Sequence, residues 1–158
     1  MKKLLLVRHA KATHETGFVD FERPLKPSGL QDAAIMAGRL KEHSWVPQVL
    51  VTSPALRTLS TANVLSQHLS IPKAEEIAGI YEADERQLLA IINQLSNDHD
   101  FIGLVGHNPG IEQILYYLTS TSPDIPPGAV ALVEFDTNTW EAISPKTGKL
   151  IYYDTPKN

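Results

Sequence analysis

Short apolar runs recur along the chain and predict the strands of a sheet. The clearest are residues 4–7, 49–52 and 101–105, with a weaker candidate at 76–81. These runs are rich in branched residues and do not alternate with polar ones. That pattern is typical of strands buried on both faces.

Amphipathic stretches alternate with these runs and predict four helices, because their apolar residues recur every three or four positions. The four apolar stripes are Leu30, Ala33, Ala34, Ala37 and Leu40; Ala55, Leu59, Ala62, Leu65 and Leu69; Leu88, Ile91, Ile92 and Leu95; and Ile111, Ile114, Leu115 and Leu118. Strands that alternate with helices favour a parallel sheet covered on both faces.

The pattern changes after the proline-rich stretch "SPDIPPG". The segments "AVALVEF", "TWEAIS" and "KLIYY" follow and predict neighbouring antiparallel strands joined by short turns. We therefore expect one domain over residues 1–158. Its predicted class is α/β, a three-layer α/β/α sandwich whose mostly parallel sheet has an antiparallel edge.

Composition narrows the choice of partners and chemistry. The 158 residues are 42% hydrophobic and carry a formal charge of −4 without a long run of one sign, so we expect neither a nucleic acid nor a membrane as partner. The chain contains no cysteine, which excludes a thiolate nucleophile or ligand. The opening "MKKLLLV" is too short an apolar run for a signal peptide and is interpreted as a strand, so we expect a cytoplasmic protein.

Candidate chemistry is concentrated where the predicted strands end. Arg8 and His9 follow the first strand, Arg57 the second and His107 the fourth, while the weaker third strand leads to "YEADE" with Glu82 and Asp84. Open α/β sheets bind ligands beyond the carboxyl ends of their strands. We therefore expect two arginines, two histidines and an acid to converge at one edge.

Two of these junctions also carry helix-start signals. Ser53-Pro54 and Asn108-Pro109 each place a good N-cap before a proline at the first helical position. A helix that begins there presents free backbone N–H groups to the same crevice, which suits an anion.

Three motifs together resemble the histidine phosphatase superfamily. They are "VRHAKA", "SPALRTLSTA" and "VGHNPG", in an order that spans nearly the whole chain and is most similar to the short, SixA-like branch of phosphohistidine phosphatases. The resemblance implies a phosphoglycerate mutase-like fold in which Arg8, His9, Arg57 and His107 form the phosphate pocket. Mutases of the superfamily carry RHG, whereas Ala10 follows His9 here, and this difference speaks against mutase activity.

The residue types fit phosphoryl transfer without a metal or another cofactor. A neutral imidazole at His9 is a nucleophile, and the charges of Arg8 and Arg57 disfavour its protonation. The two guanidinium groups and His107 offer donors to phosphate oxygens. Glu82 is the predicted general acid, preferred to Asp84 because it lies nearer the strand end.

The sequence therefore predicts a metal-independent phosphatase with a covalent phosphohistidine intermediate. Little chain is left for a lid beyond residues 13–29, so a phosphorylated protein, with phosphohistidine favoured by the resemblance, is the expected substrate. Lys11 and Arg23 are candidate substrate contacts on the rim, or ordinary solvated charges. A phosphatase of small phosphate esters and a non-catalytic phosphate-recognition module remain alternatives. A metal-dependent hydrolase ranks lower, because an HExxH spacing is missing and two arginines repel a cation.

Overall fold

The computed structural model describes residues 1–158 and contains one six-stranded sheet. Its strands are β1 Lys2–Arg8, β2 Val49–Thr52, β3 Glu75–Glu76, β4 Phe101–Gly106, β5 Val130–Phe135 and β6 Gly148–Asp154. They lie in the order β3-β2-β4-β1-β5-β6. The apolar run at the start of the chain is thus the interior strand β1, as predicted.

The first four strands run parallel, and the antiparallel edge is supplied by the C-terminal segment. β1 pairs in parallel with β4, as does β2, whereas β5 runs antiparallel to both β1 and β6. Leu6 of β1 lies between Leu104 on one side and Ala131 on the other. This arrangement confirms the predicted α/β class with its mostly parallel sheet.

Four helices cover the two faces of the sheet. Their bounds are α1 Pro27–Glu42, α2 Leu56–Leu69, α3 Glu85–Asn93 and α4 Gly110–Thr119. Successive residues of a strand point to opposite faces. Leu4 and Leu6 therefore pack with α3 and α4, while Leu5 and Val7 pack with α1 and α2. Both faces of β1 are buried, which explains its unbroken apolar run.

The predicted helical stripes are confirmed with small shifts in the buried residues. In α1, Leu30 is 45% exposed and Met36 takes a place in the core instead. In α3, Leu88 and Ile92 are buried, but the helix ends at Asn93, before Leu95. All four predicted positions of α4 are buried.

Two predicted strands are wrong. Residues 76–81 contribute only the end of the two-residue β3 and then form a 3₁₀ turn at Ala78–Ile80. The stretch "TWEAIS" forms a 3₁₀ turn at Trp140–Ala142 instead of a strand. Asn93 donates to the backbone carbonyls of Trp140 and Ile143, which holds that segment against α3 instead of in the sheet.

The predicted helix caps are also wrong in detail. The N-cap of α2 is Ala55 and that of α4 is Pro109, and neither helix has a side-chain cap. The Ser53 hydroxyl pairs with His107, and the Asn108 amide donates to Glu112 and to the Ile125 carbonyl. Both polar side chains therefore form hydrogen bonds to residues around the cleft instead of capping the helices. None of the helices has the length and apolarity that a membrane span requires.

Candidate active site

Three neighbouring strands deliver the predicted basic residues to one cleft. β1 ends at Arg8 and continues into His9, β2 leads into α2 with Arg57, and β4 is followed by His107. Because β2, β4 and β1 are adjacent and parallel, their carboxyl ends meet at the same edge. The structure brings these four side chains together around a cleft of about 450 Å³.

His9 is held as a neutral imidazole with one free ring nitrogen. Its Nδ1 lies 2.8 Å from the Ala10 carbonyl oxygen. A carbonyl only accepts, so Nδ1 carries the hydrogen and Nε2 keeps its lone pair. Burial is the main reason that the pKa of His9 falls to about 3, with smaller contributions from the charges of His107, Arg57 and Arg8. The repulsion expected from the arginines is therefore the lesser cause.

His107 is oriented by a serine that sequence reasoning treated only as a helix cap. The Nε2 atom of His107 lies 2.8 Å from Oγ of Ser53, which also accepts from the backbone N–H of Ala55 at 3.3 Å. Ser53 can thus donate its hydroxyl hydrogen to Nε2, which leaves Nδ1 as the N–H. That Nδ1 has no protein partner. Burial lowers the pKa of His107 to about 4, so this ring is also neutral near pH 7.

The two arginines are anchored in different ways. Arg8 donates from one terminal nitrogen to the Ile125 carbonyl at 3.0 Å, and burial lowers its pKa. Arg57 is 6% exposed and donates to Asp20 twice, to the backbone carbonyl at 2.7 Å and to the carboxylate at 3.0 Å. The Nε atoms of both arginines are buried without a partner. Such unsatisfied donors are costly in a folded protein, and a ligand meets the terminal nitrogens instead.

Asp20 is the residue of the site that sequence reasoning missed. It lies in a 3₁₀ turn, Asp20–Glu22, within the irregular stretch 13–26. Its carboxylate accepts from Tyr81 at 2.6 Å and from Arg23 at 3.0 Å as well as from Arg57. The Tyr81 hydroxyl is the main reason that the pKa of Asp20 lies far below its usual range. The only signal in the sequence was an acid three residues before Arg23 in a loop, and no periodic pattern places a loop residue.

The two candidate acids differ in what holds them. Glu82 and Asp84 both line a second lobe of the cleft, of about 480 Å³, together with Arg57 and His107. Asp84 is the N-cap of α3 and forms a capping box with Gln87. Glu82 is exposed, makes no hydrogen bond and has a positive φ of 60°, a strained conformation for a residue with a side chain. Its carboxyl group is therefore available for chemistry, whereas that of Asp84 is used to start a helix.

The predicted rim residues border the first lobe of the cleft. Lys11 and Lys26 are exposed there and make no ion pair, and Arg23 lies beside them. The Arg23 guanidinium is committed to the loop, since it donates to the Thr13 carbonyl at 2.9 Å and to Asp20 at 3.0 Å. Lys11 is thus the freer of the two predicted contacts.

Solved structures share this fold over nearly the whole chain. The structure of the protein histidine phosphatase SixA complexed with tungstate matches with a TM-score of 0.83 at 25% identity, over 99% of this chain and 98% of that one. A phosphoserine phosphatase mutant from Entamoeba histolytica matches with a TM-score of 0.70 at 16% identity, over 99% of this chain and 98% of that one. The fold is therefore of the α/β class and phosphoglycerate mutase-like.

Sequence comparison assigns the chain within that class. The family model of the histidine phosphatase superfamily (branch 1) matches residues 4–85. An uncharacterized chloroplastic protein of Arabidopsis thaliana is 30% identical over 151 residues, which cover 89% of this chain and 69% of that protein. The chain belongs to the histidine phosphatase superfamily, and this membership together with the SixA-like fold supports a phosphatase activity.

Proposed function

We propose that this protein is a metal-independent phosphatase that passes the phosphoryl group through His9 and acts on phosphohistidine in proteins. The observation that carries the proposal is the Nδ1 hydrogen bond of His9 to Ala10, at 2.8 Å. This bond fixes the tautomer, so the Nε2 lone pair is available to attack phosphorus. A neutral histidine with a fixed tautomer is a ready nucleophile.

The surrounding donors match the charge of the transferring group. Arg8, Arg57 and His107 line the same cleft as His9. The two guanidinium groups can hold the equatorial oxygens while charge develops on them. They supply the positive charge that a metal ion supplies in other phosphoryl-transfer enzymes.

Both chemical steps can be written with the residues of the cleft. In the first step, Nε2 of His9 forms a bond to phosphorus, the bond to the leaving group breaks, and protonated Glu82 gives its proton to that group. In the second step, a water molecule gives a proton to the Glu82 carboxylate and attacks phosphorus. The P–N bond then breaks, which releases phosphate and restores both residues.

A macromolecular substrate fits the shape of the cleft mouth. The irregular segment over the first lobe is the stretch 13–26, and the backbone hydrogen bond from the Lys26 N–H to the Lys11 carbonyl at 2.9 Å holds its two ends together. An open mouth admits a phosphorylated side chain carried on a protein. The free ammonium groups of Lys11 and Lys26 would then contact residues that flank the phosphorylated one.

The test of the mechanism is direct capture of the intermediate. Rapid quench with labelled phosphohistidine protein should trap an acid-labile, base-stable phosphoenzyme, and His9→Ala should abolish both label and turnover. His68→Ala is the matched control, because His68 is exposed on α2 and bonds only to the Val64 carbonyl. Full turnover in His9→Ala would overturn the mechanism, and a strict requirement for an added divalent ion would favour a metal-dependent hydrolase.

The test of the substrate class is a comparison of kcat/KM values. We expect phosphohistidine proteins to exceed phosphoserine peptides and small phosphate esters. A small ester with kcat/KM near ~10⁷ M⁻¹s⁻¹, far above that of any phosphoprotein, would contradict the substrate class while leaving the His9 chemistry intact. Binding of phosphoproteins without any turnover would instead identify a recognition module.

A further inference from the structure

Arg57, one of the two arginines of the proposed phosphate pocket, is already bound to an acidic residue of the protein, Asp20. Both terminal nitrogens of Arg57 donate to Asp20, one to its carbonyl at 2.7 Å and one to its carboxylate at 3.0 Å. The remaining nitrogen, Nε, is buried and closed to solvent. Each terminal nitrogen gives one of its two hydrogens to Asp20, so an anion that binds the forked end of the Arg57 guanidinium meets the Asp20 carboxylate there.

The Asp20 carboxylate is itself held by two further donors. Tyr81 donates its hydroxyl at 2.6 Å and Arg23 one guanidinium nitrogen at 3.0 Å. Tyr81 also packs edge-on against His107, with ring centroids 5.5 Å apart. The Asp20 side chain is 51% exposed although its carboxylate bridges two arginines. An incoming anion can therefore displace the carboxylate without opening the core.

We propose that Asp20 is a specificity-determining residue, a tethered carboxylate that holds the Arg57 position until a phosphoryl dianion displaces it. This inference rests on the proposed function, because it takes Arg57 as a ligand of the phosphoryl group. An incoming anion must bind Arg57 better than a carboxylate that is already in place. The pocket therefore selects doubly charged oxyanions, which bond a guanidinium fork more strongly, over carboxylates and other monoanions.

Displacement has a second consequence for the loop. The 3₁₀ turn Asp20–Glu22 packs against α2, and the bonds from Arg57 and Tyr81 tie its first residue to the cleft. When phosphate takes the Arg57 nitrogens, the turn loses that anchor. Amide hydrogen exchange in the stretch 13–26 should therefore rise when the site is filled.

The test compares orthophosphate binding to three proteins by calorimetry at pH 7.5. Asp20→Asn should bind orthophosphate about three- to tenfold more tightly than the wild type, because an uncharged amide competes less well for Arg57. Glu22→Gln removes the same charge from the same turn but has no ion pair, and its affinity should be unchanged. Acetate at a concentration that leaves the wild type unaffected should compete with phosphate in Asp20→Asn.

A second variant keeps the test informative if Asp20→Asn folds poorly. Tyr81→Phe removes one of the bonds that hold the carboxylate and should tighten phosphate binding by a smaller factor. Weaker binding by Asp20→Asn would overturn the inference and assign Asp20 the task of orienting Arg57. An affinity equal to that of Glu22→Gln, or exchange in the stretch 13–26 that does not rise with phosphate, would overturn it as well.

Arg57→Lys separates this inference from the function on which it rests. If Arg57→Lys loses phosphate binding while Asp20→Asn behaves as the wild type, the pocket stands and only the role of Asp20 fails. If phosphate binding is indifferent to Arg57→Lys, the proposed pocket itself fails, since a point ammonium cannot replace a bidentate fork.

Discussion

Ser53 controls the direction of one histidine in the cleft, and its loss should be visible in the kinetics. Its hydroxyl lies 2.8 Å from Nε2 of His107 and is fully buried. Ser53→Ala removes one hydrogen bond worth about 1 kcal/mol, so we expect kcat/KM to fall roughly fivefold. Ser66→Ala is the control, since Ser66 is also a buried serine but lies in α2 and donates to the Asn63 carbonyl. Equal activity of the two variants would show that Ser53 does not orient His107.

The catalytic role of Glu82 and the structural role of Asp84 should be distinguishable when each residue is replaced and both activity and stability are measured. Glu82→Gln should slow hydrolysis of substrates with poor leaving groups far more than that of an activated aryl phosphate, whose departure needs little protonation. Asp84→Ala should lower the free energy of unfolding by about 1 kcal/mol, because it removes the N-cap of α3. Its effect on turnover should not depend on the leaving group. A leaving-group dependence in Asp84→Ala and none in Glu82→Gln would exchange the two assignments.

Residues at strand ends could be placed from the sequence, and residues on loops could not. Arg8 is the last residue of a buried strand, and His9 and His107 directly follow buried strands, so the parallel sheet alone brings them together. Asp20 lies in an irregular stretch whose path is set by contacts far away in sequence, such as the Arg57 and Tyr81 bonds. The orientation of His107 by Ser53 was not predicted for a related reason, because a serine before a proline is also typical of a helix N-cap.

At the scale of elements, the close approach of α4 to the Glu82 segment fixes one wall of the cleft. A Cβ at Gly110 would overlap the backbone carbonyl of Ala83, next to Glu82. Gly110→Ala should therefore destabilise the protein by about 1–3 kcal/mol and lower kcat, since the segment must shift. Urea unfolding together with steady-state kinetics measures both effects.

Gly38 provides the matched control for that substitution. It is exposed within α1, and a Cβ there meets nothing within 4 Å. Gly38→Ala should stabilise the protein by about 0.5–1 kcal/mol, because alanine restricts the unfolded chain and favours the helix. If Gly110→Ala and Gly38→Ala changed the stability equally, the close approach of Ala83 to α4 would not restrict the side chain at position 110.

Elements with a long periodic pattern were predictable, and short ones were not. The α4 stripe is buried at every predicted position. It was predictable because the helical period of apolar residues runs through all ten residues of the helix. "TWEAIS" has the composition of a strand, yet Trp140 is wholly buried in a 3₁₀ turn and donates its indole N–H to the His99 carbonyl at 2.9 Å. Tertiary contacts of this kind override the local preference of a six-residue stretch.

At the scale of the whole molecule, the two neutral histidines couple the stability of the fold to pH. Burial lowers the pKa of His9 to about 3 and that of His107 to about 4, from an ordinary 6.5. Between these values and 6.5 the unfolded chain binds protons that the folded chain does not. Proton binding therefore stabilises the unfolded state relative to the folded state as pH falls, and the free energy of unfolding must decrease.

The same pKa values give the pH window in which this loss occurs. Stability from the two histidines should be fully present above about pH 7 and should be lost progressively as pH falls from about 6.5 towards 3. Asp20 and Asp154 have pKa values lowered from 3.8, so their contributions are lost only at the acid end of that window and below it. Urea unfolding at pH 7.5, 6 and 5 should show a smaller decrease for His9→Gln than for the wild type, whereas the exposed-site variant His68→Gln should follow the wild type. Parallel curves for all three proteins would contradict the buried, neutral state of His9 on which its role as a nucleophile depends.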